Sequence, residues 1–73
     1  MIEMEKFARR LTYLRHSAQL KQRDIAERCS VSVQTVSKWE RGYSCPDVLM
    51  LDDLSAALEV EIKDLFLFDS DTR

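Results

Sequence analysis

Glycine, proline and long hydrophobic runs are nearly absent from this 73-residue sequence. One glycine and one proline leave little room for the turns that an all-β domain needs. No apolar run approaches the roughly 18 residues of a membrane span. The N-terminus, MIEMEKFARR, has no apolar stretch after its basic residues, so it does not resemble a secretory signal. We therefore expect a chain that is neither exported nor inserted into a membrane.

Residues that carry chemistry are also few. Cys29 and Cys45 are the two cysteines, without CxxC spacing, and His16 is the single histidine, so neither a disulfide framework nor a zinc cluster is expected. Asp52 and Asp53 are adjacent on a predicted helix and diverge. With no nucleophile–base pair and no glycine-rich phosphate loop, the sequence predicts no enzyme, metal or cofactor. Free thiols suit a reducing compartment, which predicts a cytoplasmic location.

Charge is distributed unevenly along the chain. Residues 1–45 hold nine basic and five acidic side chains, whereas residues 46–73 hold two basic and eight acidic ones. The net charge of −2 alone argues against nucleic acid, but the N-terminal part, at +4, can face an anion.

Apolar residues recur with helical spacing. Phe7, Leu11 and Leu14 form one stripe, and the remaining apolar residues form similar faces. We expect one all-α domain over residues 1–73, with a core of about 4–68 and a frayed tail at 69–73. The predicted helices cover residues 4–17, 22–29, 33–41, 47–58 and 61–67.

The boundaries of the predicted third helix carry strong signals. Ser32 is a good N-cap, and Gly42 is suited to the left-handed position after a helix. Pro46 opens the fourth helix, and Asp47 lies in its first turn, where the helix dipole favours an anion.

The third helix exposes a stripe of hydrogen-bonding side chains. Its single acid, Glu40, lies with Trp39 on the inner face. The outward stripe is therefore free of negative charge. Its members are Val33, Gln34, Ser37, Lys38 and Arg41.

Segment 22–42, QRDIAERCSVSVQTVSKWERG, resembles the helix-turn-helix of Cro/C1-type phage repressors and Xre-like bacterial regulators. The resemblance extends from about Phe7 to Phe66 and implies a compact five-helix, lambda-repressor-like fold. It also implies a transcription regulator that binds double-stranded DNA in a sequence-specific way. The matching positions are Gln22, Ile25, Ala26, Ser30, Val31, Ser32, Val36, Ser37, Trp39, Glu40, Gly42 and Pro46.

The resemblance implies a role for each matching position. Gln22 would hold a phosphate and brace the recognition helix, and Arg15 and Glu40 would form a buried ion pair. Positions facing the major groove would be Ser32, Val33, Gln34, Ser37 and Lys38. Positions reaching the DNA backbone would be Thr35, Arg41 and Tyr43.

Three departures from the family pattern fall in loops. Ser30 and Glu59 stand where glycine is usual, so the turn at Ser30 must either accept a left-handed backbone or take another shape. Lys21 replaces the usual Ser/Thr cap of the second helix, which predicts a weak or missing cap.

Apolar residues near the C-terminus exceed what one helix face can bury. They either close the core or contact a second copy, and we expect a homodimer through Leu65, Leu67 and Phe68. Two copies about 34 Å apart would read a palindromic operator. A protein-interaction module or an antitoxin of the same fold, with a protein partner or antirepressor, is the alternative reading.

Overall fold

The computed structural model describes residues 4–67. Within this range the chain forms four α-helices and one short 3₁₀ helix, in an all-α arrangement. The tail predicted to fray, residues 69–73, lies outside the described residues, as does Phe68. The elements are α1 (Met4–Ser17), α2 (Gln22–Cys29), α3 (Val33–Glu40), α4 (Val48–Leu58) and the 3₁₀ helix (Ile62–Phe66).

The expected fifth α-helix is a 3₁₀ helix, and this corrects the sequence-based prediction. The segment is only five residues long. The Glu61 side chain makes no capping bond; instead its backbone N–H donates to the Asp64 carboxylate at 3.0 Å. So short a segment is stabilised mainly by packing, and the tighter 3₁₀ geometry is common in such pieces.

One core joins all five elements. Six large side chains are fully buried within it: Phe7, Leu11, Ile25, Val36, Leu54 and Leu65. Leu65 therefore closes the core, and the expectation that it contacts a second copy is wrong. Burial of these side chains in one cluster fixes α3 against α1 and α2.

Three helices end at a non-glycine residue in the left-handed region. Gln19, Ser30 and Glu59 follow α1, α2 and α4 with φ between 59° and 60°. Of the two alternatives considered from the sequence, a left-handed backbone or a turn of another shape, Ser30 adopts the left-handed backbone. Its turn is closed by the Val31 N–H, which donates to the Ala26 carbonyl at 3.0 Å. This backbone form lets α3 start with only three residues between it and the end of α2.

Two long arginine side chains secure the C-terminal part of the fold. Arg28 donates to the carbonyl of Ala57 at 2.7 Å, near the end of α4. Arg10 donates to the carbonyl of Asp64 at 2.8 Å, in the 3₁₀ helix. Both bonds satisfy carbonyl groups near helix ends that have few partners within their own helix.

Candidate nucleic-acid interface

The N-terminus of α3 is capped by a hydroxyl pair. Ser32 Oγ accepts the backbone N–H of Thr35 at 3.1 Å and lies 2.9 Å from Thr35 Oγ1. This bond satisfies one of the free N–H groups of the first turn. The cap holds the first exposed residues of α3, Val33 and Gln34, at a defined angle to the body of the protein.

The face of α3 turned away from the core carries the predicted contact residues. Val33, Gln34, Lys38 and Arg41 are exposed. Val36 and Trp39 on the opposite face are buried, so α3 has little freedom to rotate. The structure places Ser37 and Thr35, both half-buried, at the edges of the exposed stripe.

Glu40, the single acid of α3, is enclosed by donors. Arg15 contacts both of its carboxylate oxygens, with Nε 2.5 Å from Oε2 and a terminal nitrogen 3.0 Å from Oε1. The two side chains are 11% and 6% exposed. A second terminal nitrogen of Arg15 donates to the Leu20 carbonyl at 3.0 Å. The negative charge of α3 is therefore neutralised inside the fold.

Gln22 joins this network from the start of α2. Its side-chain amide donates to Glu40 Oε1 at 3.0 Å. One N–H and the carbonyl oxygen of that amide remain available for another partner, because a glutamine carries two donors and one acceptor oxygen. Gln22 thus braces α3 with one hydrogen and can offer the other outward.

The N-terminus of α2 is capped by Asp24 rather than by the side chain of Lys21. The Lys21 side chain makes no capping bond, but its backbone N–H donates to the Asp24 carboxylate at 2.9 Å. Asp24 thereby fixes the first turn of α2, including Gln22. It also lies where the helix dipole favours an anion.

The end of α3 carries a stacked pair. The Arg41 guanidinium lies 4.8 Å from the centre of the Tyr43 ring, and Arg41 Nε approaches the Ser37 carbonyl at 3.4 Å. The Tyr43 N–H donates to the Lys38 carbonyl at 3.0 Å, and Gly42 between them has a φ of +78°. This turn keeps Arg41 and Tyr43 beside the outer face of α3.

The other predicted residues fall elsewhere. Leu67 is half exposed beyond the 3₁₀ helix, away from α3 in sequence. Arg28 and Arg10, which hold α4 and the 3₁₀ helix, were not singled out from the sequence. Arg28 donates to a carbonyl 29 residues away in sequence, and Arg10 donates to one 54 residues away. No local sequence pattern signals contacts over such separations.

The described residues contain no group of three or more side chains that could hold a metal ion. In the same part of the chain, no helix is both long and apolar enough to cross a membrane. The Cys29 thiol is buried, and this desolvation raises its pKa, with the nearby Asp53 charge adding to the effect. Cys29 is therefore a core residue with an unreactive thiol.

Comparison with known proteins places this arrangement among regulators. The helix-turn-helix family model HTH_3 matches residues 4–65. The structure resembles the restriction-modification controller protein C.AhdI from Aeromonas hydrophila, at 30% identity and a TM-score of 0.82, over 86% of this chain and 96% of that one. No curated protein sequence matches the chain.

Two further solved structures share the fold. The clp gene regulator ClgR from C. glutamicum is 25% identical, with a TM-score of 0.80, over 89% of this chain and 84% of that one. The hypothetical transcription factor NHTF from Neisseria has a TM-score of 0.85 at 21% identity, over 96% of this chain and 80% of that one. At that identity the likeness to NHTF concerns the fold alone.

Proposed function

The chain belongs to the helix-turn-helix family and is a DNA-binding transcription regulator, and we propose that α3 reads a specific double-stranded sequence in the major groove. The observation that carries this proposal is the exposed face of α3. It presents hydrogen-bonding and basic side chains, while its one acid is neutralised by Arg15. A face of this kind approaches phosphates without repulsion and can still discriminate bases.

Three side chains of α3 would read bases. Gln34 can pair with the N6 and N7 atoms of adenine, Lys38 can donate to O6 and N7 of guanine, and Val33 can touch a thymine methyl group. Ser32, Thr35 and Ser37 would supply hydroxyl contacts at the edges of this set. The rigid seat of α3 on the core keeps these side chains in a fixed register.

Phosphates would be held on either side of the groove. The free amide hydrogen of Gln22 stands at the start of α2, where the helix dipole also favours an anion. Arg41, held against Tyr43, would bind the backbone at the other end of α3. Phosphate contacts fix the position of the protein, and base contacts then select the sequence.

We further propose that two copies bind one palindromic operator. A single domain of this size makes few phosphate contacts, and two copies about one helical turn apart would double them. Because its target would be DNA, the protein would act in the cytoplasm, at the nucleoid. An antirepressor or other protein partner would act on such a dimer from outside, and an antitoxin would use the same DNA-binding face.

Selection from random-sequence duplex DNA, followed by a salt series, tests the proposal. We expect an enriched palindromic site and an affinity that falls steeply with salt. Lys38→Ala should relax the preference at one base pair by a factor of about ten or more. Lys63→Ala, which removes an exposed lysine of the 3₁₀ helix, is the matched control and should leave the preference unchanged.

The acidic C-terminal part supports a second candidate, a protein-interaction module. In that case no duplex would be enriched, and substitutions of Val33, Gln34 and Lys38 would leave function intact. Selection of a site that depends on Gln34 and Lys38 would reject this candidate.

A further inference from the structure

The exposed ring of His16, in the last turn of α1, is a polar group that the proposed DNA contacts do not use. It is the single histidine of the sequence. Its ring nitrogen Nε2 lies 3.4 Å from a terminal nitrogen of Arg15. The same Arg15 nitrogen donates to Glu40 Oε1 at 3.0 Å. The imidazole therefore adjoins the polar network that orients α3.

The contact with Arg15 depends on the protonation state of the ring. A guanidinium carries N–H donors and no acceptor, so Nε2 of His16 accepts from Arg15. This requires a neutral ring with its proton on Nδ1. Protonation places a hydrogen on Nε2 as well, which breaks the bond and sets two positive charges side by side. The bond is long and exposed, so little is lost when the ring turns away from Arg15 into water.

His16 also lies near the place where a DNA phosphate would bind. Three successive contacts connect its ring with the side-chain amide of Gln22. They measure 3.4 Å from His16 to Arg15, 3.0 Å from Arg15 to Glu40 Oε1, and 3.0 Å from that oxygen to the amide. Even laid end to end, these contacts are shorter than the Debye length of about 10 Å at 0.1 M salt. A phosphate held by the free N–H of Gln22 would therefore attract a protonated His16.

We propose that His16 is a further phosphate-binding residue that acts only when its ring is protonated, so that DNA binding takes up a proton from solvent. In the free chain the neutral imidazole accepts from Arg15. In the complex the imidazolium leaves Arg15 and faces the phosphate beside Gln22. A ligand that favours the protonated form binds more tightly as the pH falls, because the two binding equilibria are linked. The inference rests on the proposed function, since it takes the phosphate from DNA.

The other charged side chains around this network are of types that do not titrate near neutral pH. Histidine is the side chain whose charge ordinarily changes between pH 5 and 8. Arg15 of α1 and Glu40 of α3 form an ion pair and offset each other. The charged residues at the start of α2, the remaining element beside the network, are Lys21, Arg23 and Asp24. A charge here that changes near neutral pH therefore lies on the imidazole.

DNA affinity as a function of pH is the primary test. Fluorescence anisotropy on a duplex enriched by selection follows the affinity between about pH 5.5 and 7.5 at constant salt. We expect each half-site to be bound about fivefold more tightly by the wild type at the acidic end, as one exposed ion pair allows. The salt slope should also be steeper there by about one, because one more phosphate is contacted.

Two substitutions fix the charge at position 16. His16→Gln keeps an acceptor for Arg15 but gains no proton, so its affinity should stay throughout at the level of the wild type at the alkaline end. His16→Lys carries a permanent positive charge and should bind at every pH about as the wild type does at the acidic end.

A relocated histidine is the matched control. His16→Gln/Lys63→His moves the imidazole to an exposed position on the 3₁₀ helix, and its affinity should be as insensitive to pH as that of His16→Gln. The comparison also separates His16 from the α-amino group of the chain, which can titrate in the same range.

Two measurements report on the proton itself. Titration calorimetry in buffers with different ionisation enthalpies should show proton uptake when the wild type binds the duplex at about pH 6.5, and none for His16→Gln. Nuclear magnetic resonance of the free wild type should place the proton of the neutral ring on Nδ1. Equal proton uptake by both proteins, or a neutral ring protonated on Nε2, would contradict the inference.

Failure of this inference is distinguishable from failure of the proposed function. If the wild type and His16→Gln bind an enriched duplex with the same pH dependence, the inference is wrong and DNA recognition stands. If no duplex is enriched, the proposed function fails, and sodium sulfate at constant ionic strength replaces DNA as the anion. Movement of the His16 ring resonances toward their protonated positions would then support a proton-dependent anion contact, and unchanged resonances would overturn it.

Discussion

The side-chain amide of Gln22, the first residue of α2, donates to Glu40, the last residue of α3, across 3.0 Å. Because Glu40 is also held by Arg15 of α1, the bond links three helices at one carboxylate. Helix α3 is therefore oriented by polar contacts at its C-terminal end as well as by Val36 and Trp39 on its inner face.

Removing one member of the Arg15–Glu40 pair should destabilise the fold strongly. Arg15→Met would leave a nearly buried carboxylate without its main partner, which costs about 3–5 kcal/mol. The double variant Arg15→Met/Glu40→Leu should recover much of that loss, because no charge is left buried. Urea unfolding of the single and double variants measures both values. A double variant as unstable as the sum of the single ones would contradict this account.

Glycine at the left-handed helix ends should stabilise the protein. Ser30→Gly and Glu59→Gly should each raise the free energy of unfolding by about 0.5–1 kcal/mol, after the larger unfolded-state entropy of glycine is subtracted. Their effects should add, because the two residues lie in separate turns. Ser17→Gly, in helical conformation at the end of α1, is the control and should lower stability. Thermal unfolding compares the wild type, the three single variants and the double variant Ser30→Gly/Glu59→Gly, and a loss of stability in Ser30→Gly would refute the argument.

The two thiols should react at very different rates. Cys45 is exposed, while Cys29 is 2% exposed and its pKa is raised by burial. In the native protein a thiol reagent should therefore titrate one group rapidly and the second only through unfolding. Addition of urea should bring the slow group up to the fast rate. Two fast groups in the absence of denaturant would show that Cys29 is accessible.

Cys29 should also contribute to the loss of stability at alkaline pH. Burial raises its pKa in the folded chain above the ordinary thiol value of 9.0, so the unfolded chain releases this proton first as the pH rises. The contribution is complete below pH 9 and is lost above it. Cys29→Ala should remove that part of the decline, although the cavity lowers stability at every pH. Urea unfolding between neutral and alkaline pH checks the slope, and identical slopes would contradict the prediction.

Arg41 should contribute to DNA affinity through phosphate alone. Arg41→Ala should weaken binding about equally on all sequences and reduce the salt slope by about one. Tyr43→Phe keeps the ring that stacks on Arg41 and should bind nearly as the wild type, whereas Tyr43→Ala should resemble Arg41→Ala in part. Fluorescence anisotropy over a salt series on selected and scrambled duplexes measures these effects. A change of base preference in Arg41→Ala would instead assign it a direct base contact.

Local patterns predicted the helices well and the fifth element less well. The bounds of α1 and α2 match the sequence-based expectation, because the apolar period and the turn residues agree there. The predicted end of α3 and the predicted start of α4 each lie one residue too far out, since Arg41 and Asp47 cap the helices rather than join them. The 3₁₀ form of residues 62–66 depends on packing, to which no local signal points.

The sequence by itself determined the all-α class, the positions of the helices and the outer stripe of α3 without negative charge, because these follow from residue spacing along the chain. Tertiary structure decided what each side chain does. It buried Leu65, gave Arg15 and Gln22 a common partner in Glu40, and gathered Cys45, Leu51 and Phe66 around one recess. Such outcomes depend on residues far apart in the chain, and only the packing of the helices brings them together.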